Sequence, residues 1–148
     1  MTVLSAWESQ ADLEASESSA DKARGDAIRL LGGQATVHRY EQAIGEVAEI
    51  PAGAKLHIRH FKIDPSRTDD NLAFFRRNVL PEIKAAPGFL ALRQLIDRST
   101  GEGRVGTVWA DYEALEASLA RSEQRRADAT SRGVEFGEER VLEVLFTT

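Results

Sequence analysis

"WADYEALEAS" runs from Trp109 to Ser118, and "WESQADLEAS" runs from Trp7 to Ser16. Both open on tryptophan and reach Leu-Glu-Ala-Ser after the same interval. Extended without a gap, the same offset aligns residues 3–43 with 105–145, and about ten of those positions are identical. The pairs include Val3 with Val105, Trp7 with Trp109, Arg24 with Arg126, Asp26 with Asp128 and Glu41 with Glu143. Two unrelated amphipathic helices would share Ala and Glu, but would not each follow a tryptophan. Duplication is the preferred reading, and the first copy is then the back half of a unit.

The elements around this junction follow from periodicity and punctuation. Val3–Trp7 is β-prone. Leu13, Ala20, Ala27, Ile28 and Leu31 recur near the helical period from Glu8 onward, and Gly32-Gly33 stops that helix. A strand is expected from Gln34 to about Ile44, and a loop over 45–54, where Gly45, Pro51 and Gly53 fall. Leu56–Ile63 reads as a strand, followed by an Asp64-Pro65 turn and by Thr68 or Asp69 as a helix cap. Leu72, Phe75, Val79 and Ile83 form the stripe of a helix over 70–86, which Pro81 should kink. Strands are expected over 89–97, 104–110 and 140–146. "RSTGEG" is the hairpin turn between the first two, and Asp111 caps a helix running to about Arg132.

From residue 55 the order is strand, helix, strand, strand, helix, strand, the split βαβ order of a ferredoxin-like α+β fold with an antiparallel sheet. The expected domains are a half unit over 1–47, a linker over 48–53 and a complete unit over 54–148.

Composition narrows the function classes. The chain has 148 residues, a net charge of −5 and no cysteine. Thiolate metal sites and cysteine nucleophiles are therefore excluded. The acidic balance disfavours a nucleic-acid partner, and Arg76-Arg77 and Arg125-Arg126 read as solvated helix surface. No apolar run approaches a membrane span, and nothing after Met1 resembles a signal peptide, so a cytoplasmic setting is expected. "LLGGQ" and "GEGRVG" lack nucleotide-loop spacing.

The strand ending in Trp, the helix after it, "VLPEIKAAPGF", the "DRSTGE" turn and the closing "ERVLEVL" together resemble antibiotic biosynthesis monooxygenase (ABM) domains. The resemblance covers 55–148 and, as a half unit, about 2–47. It implies a dimeric α+β barrel, with two units packed sheet against sheet and ligands lodged between sheet and helices. It also implies a cofactor-independent monooxygenase acting on a small aromatic or quinol substrate, within a homodimer. The alternative it leaves open is a non-catalytic ligand-binding or structural member of the fold.

Haem-degrading members of that family carry a tryptophan and a haem-ligating histidine where this chain has Ser118 and Asp128, or Ser16 and Asp26 in the half unit. Aspartate is a poor ligand for haem iron. An asparagine expected on the first strand is replaced in that region by Arg59. Haem degradation is disfavoured, and no cofactor or metal is expected. The remaining candidates are His57 and Arg59 as catalytic residues, with Phe61, Val105, Thr107 and Trp109 as pocket lining. The bland readings are polar rim residues for the first pair and ordinary core for Trp109. Arg126 and Asp128, recurring as Arg24 and Asp26, would reach a core or interface carboxylate or simply form surface ion pairs.

Overall fold

A computed structural model of the chain describes Val3 and residues 5–145. The chain forms two compact units, Met1–His38 and Arg39–Thr148. The first is built on helix α1 (Gln10–Leu31). The Ser9 side chain accepts from the Asp12 amide, and Gly32, at φ 72°, closes the helix with its N–H on the Ile28 carbonyl. Of the strand expected over Val3–Trp7, the described residues Val3 and Ser5–Trp7 have no regular structure. A strand requires a ladder partner for its backbone polar groups, and composition alone cannot supply one.

The second unit contains β1 (Glu41–Val47), β2 (Lys55–Lys62), α2 (Thr68–Phe74), α3 (Leu80–Lys84), β3 (Phe89–Ile96), β4 (Glu102–Trp109), α4 (Tyr112–Ser131) and β5 (Glu135–Glu143). One five-stranded sheet, in the order β1-β3-β4-β2-β5, joins them with every neighbouring pair antiparallel. Strands β2 to β5 have the ferredoxin-like arrangement, and β1 adds an edge strand alongside β3.

Two strand expectations shift. The strand expected over 34–44 forms at Glu41–Val47, so Gly45 belongs to the ladder instead of opening a loop. Pairing with β3 overrides the turn signal there. The compact unit accordingly begins at Arg39, and the first strand of its sheet lies within the segment expected to form the half unit. The final strand begins at Glu135, five residues earlier than its apolar run suggests. Its first residues lie on an exposed edge and carry no alternation to read. The helix beginnings do respect the sequence offset: Ser9 caps α1 as Asp111 caps α4.

Pro81 acts as expected, and the form of the distortion is a wide turn. Residues Phe75–Val79 make a π-helical turn between α2 and α3, with the Leu80 N–H on the Phe75 carbonyl. Proline lacks an N–H for the carbonyl of Arg77 and crowds it sterically, and an extra residue in the preceding turn relieves both.

Helices and sheet enclose a core of Ile44, Leu72, Leu80, Ile83, Leu92, Trp109 and Leu115. A smaller cluster of Ala54, Ala91 and Val108 lies apart from it, packed with Leu56. Gly88, at φ 76°, turns the chain into β3 so close to α4 that a Cβ there would lie 2.5 Å from Ala114 Cβ.

Candidate functional site

Alternation along β2 sends His57, Arg59, Phe61 and Ile63 to one sheet face, and Leu56, Ile58, His60 and Lys62 to the other. The first set shares its face with Trp109 and α4. The ladder places Thr107 and Val141 on either side of His57, and Val105 and Glu139 on either side of Arg59. The register therefore brings five of the six candidate residues together: His57, Arg59, Val105, Thr107 and Trp109.

Trp109 is 1% exposed, and its indole Nε1 donates to Thr107 Oγ1 at 2.9 Å. It meets Phe89 edge-on at 5.8 Å and packs among Leu72, Leu92 and Leu115. The indole is thus a core member with its one polar atom satisfied by its neighbour on the strand. Phe61 lies nearer the other end of β2, opposite Gly103, where it lines a cavity of about 250 Å³ with Tyr40, His60 and Phe136.

His57 and Arg59 converge on one carboxylate. His57 Nε2 lies 3.2 Å from Glu139 Oε2, and an Arg59 guanidinium nitrogen donates to that same oxygen. The His57 and Arg59 side chains are each 11% exposed, whereas Glu139 is 51% exposed. The Arg59 guanidinium also lies over the Phe136 ring at 5.8 Å.

Burial pushes the His57 imidazole down to a pKa of about 4, with Arg59 and then Arg126 adding to the effect. The half-exposed Glu139, already engaged by Arg59, does not offset this. His57 is consequently neutral at physiological pH and free to accept a proton. Arg59 is also lowered, by burial and then by Arg126, yet a guanidinium starts so high that it stays charged.

Two members of this arrangement were not among the candidate site residues read from the sequence. Glu139 lies in a charged run whose pairing is invisible until β5 is in register. The sequence of α4 leaves Arg126 either on the surface or reaching inward. Its Nε is buried without a hydrogen bond, while Arg125 pairs with Glu82 at 3.6 Å. Among the described residues no group of three or more His, Asp or Glu side chains is arranged to hold a metal ion. No helix among them is long and apolar enough to cross a membrane.

No family model matches the chain. Two Mycobacterium tuberculosis proteins are similar in sequence, the uncharacterized proteins Rv2557 and Rv2558. The first is 26% identical over 136 residues, which is 91% of this chain and 60% of Rv2557. The second is 29% identical over 143 residues, which is 95% of this chain and 58% of Rv2558. The chain thus spans about three fifths of the length of the curated relatives it matches.

Among solved structures, a Listeria monocytogenes ferredoxin-fold protein related to antibiotic biosynthesis monooxygenases superposes with a TM-score of 0.54 at 10% identity. That match covers 78% of this chain and 71% of that one. A variant of SnoaB, a cofactor-independent oxygenase from Streptomyces nogalater, superposes at 0.51 with 19% identity, covering 65% of this chain and 97% of SnoaB. At these identities the likeness concerns architecture alone. The chain has the ferredoxin-like α+β fold of antibiotic biosynthesis monooxygenase-type proteins.

Proposed function

We propose that this protein is a cofactor-independent oxygenase of a small hydroquinone or phenol, with His57 as base and Arg59 as the charge that holds the phenolate. The observation that carries the reading is a neutral imidazole and a guanidinium, side by side on the helix-covered face of β2. The oxygenase likeness of fold to SnoaB supports it. Deprotonation makes the ring electron-rich enough for dioxygen to oxidise. One oxygen atom enters the ring and the other leaves as water, with all electrons drawn from the substrate.

The proton transfer sets a requirement. Moving a proton from a phenol of pKa about 10 to an imidazole of pKa about 4 is uphill by about 8 kcal/mol. Arg59 must therefore stabilise the phenolate in a site with little water, and the phenolate in turn raises the basicity of His57. A homodimer joined through the sheet face bearing Leu56 and Ile58, and a cytoplasmic setting, belong to the same proposal.

The test is oxygen uptake with a panel of hydroquinones by the wild type, His57→Gln, His57→Ala and Arg59→Ala. Uptake that falls at least tenfold in the variants supports the assignment. No uptake with any hydroquinone favours a binding protein, and uptake indifferent to both positions removes this mechanism.

A further inference from the structure

The helix-facing side of β2 holds more positive charge than its own carboxylate balances. Arg59 and Arg126 are both cationic, His57 is neutral, and Glu139 is the carboxylate that His57 and Arg59 reach. Glu139 is taken up by Arg59 and His57. Among the described residues, Arg126 has no carboxylate within ion-pair distance, and its buried Nε has no acceptor. An orphaned guanidinium N–H is unfavourable, and turning the half-buried side chain onto an incoming acceptor would satisfy it.

The surroundings define what such a ligand would look like. Helix α4 packs over β4 and β2, while the residues of β5 on the same face stay open to solvent. Val141, directly across from His57, is 47% exposed, and Glu139 is 51% exposed. The result is a shelf: an apolar floor at Val141, His57 and Arg59 along its inner edge, and α4 over β2 carrying Arg126 near enough to act on both groups. A flat ring fits over Val141, and a planar anion fits the fork of a guanidinium.

We infer that this shelf binds aromatic acids, with the ligand carboxylate on Arg126 and the ring over Val141 beside His57. The inference rests on reading this cleft as the substrate site, and it narrows the substrate class from hydroquinones in general to hydroxy-aromatic carboxylates. Arg126 is here a specificity residue: it selects the ligand through a group remote from the reacting hydroxyl.

Calorimetric titration of the full chain with 2,5-dihydroxybenzoate and with hydroquinone, at one ionic strength, isolates the carboxylate. The acid is expected to bind at least tenfold more tightly. Arg126→Gln should bring the ratio close to one, Arg126→Lys should retain part of it, and a thermal melt will report that each variant folds. Equal binding of both probes by the wild type would overturn the inference, as would a preference that survives Arg126→Gln in a folded variant. The outcome is separable from that of the oxygenase reading. A carboxylate preference without oxygen uptake leaves the anion site standing, and uptake of hydroquinone without any preference removes only Arg126 from the site.

Discussion

His57 Nε2 and Glu139 Oε2 lie 3.2 Å apart across two adjacent antiparallel strands, with an Arg59 guanidinium on the same carboxylate oxygen. The imidazole is nevertheless neutral at physiological pH, because burial and two guanidiniums outweigh one half-exposed carboxylate. A histidine neutral in the native state and protonated in the unfolded chain makes stability fall as pH drops below 6.5, levelling off near pH 4. The unfolded state binds the extra proton in that window, which fixes the sign. Between pH 7.5 and pH 5 the wild type should lose about 2 kcal/mol more than His57→Gln. Urea unfolding of both at the two pH values measures it, and equal losses would refute it.

Gly103 lies directly opposite Phe61 in the ladder. A Cβ at this position would be 2.3 Å from the Phe61 ring and 2.6 Å from the Leu95 carbonyl oxygen. Because the second obstacle is backbone, it cannot rotate away. Gly103→Ala should cost about 2 kcal/mol in equilibrium unfolding.

Thr107 and Trp109 test how the core is held. Thr107→Val keeps the shape but removes the acceptor for the buried indole N–H, with an expected loss of about 1–2 kcal/mol. Leu115→Ala, at the fully buried position on the core side of α4, should cost about 3 kcal/mol, as a cavity left by a leucine does. Denaturant midpoints distinguish the two, since only the second removes appreciable buried apolar volume.

Strand β1 decides where the second unit can be cut. It pairs along β3, contributes Ile44 to the core, and is tied down by Lys84 to Glu46 and Arg98 to Glu41, both at 2.7 Å. A chain beginning at Arg39 should fold. One beginning at Ala54 should lose about 3 kcal/mol or more with Ile44, and should self-associate through the bared edge of β3. Circular dichroism and light scattering on the two chains would settle the boundary, and equal behaviour would place it at residue 54.

The sequence by itself determined the local units. The caps at Ser9 and Asp111, the stop at Gly32, the hairpin turn after Asp97 and the distortion before Pro81 are each written in a few adjacent residues. The order of elements from residue 55 was enough for a ferredoxin-like fold, and alternation along β2 put His57 and Arg59 on one face. Tertiary structure alone decided what depends on partners distant in sequence. Val3–Trp7 has the composition of a strand, but its described residues, Val3 and Ser5–Trp7, have no ladder, whereas Glu41–Val47 is a strand because β3 offers its edge. Glu139 reaches His57 and Arg59 only through the β2–β5 register, which an exposed edge strand does not advertise. The packing of α4 likewise turns Arg126 from one member of a basic pair on a helix into a half-buried cation whose enclosed Nε has no hydrogen-bond partner. Backbone propensity acts over a few residues, but charge balance and strand pairing are properties of the assembled sheet.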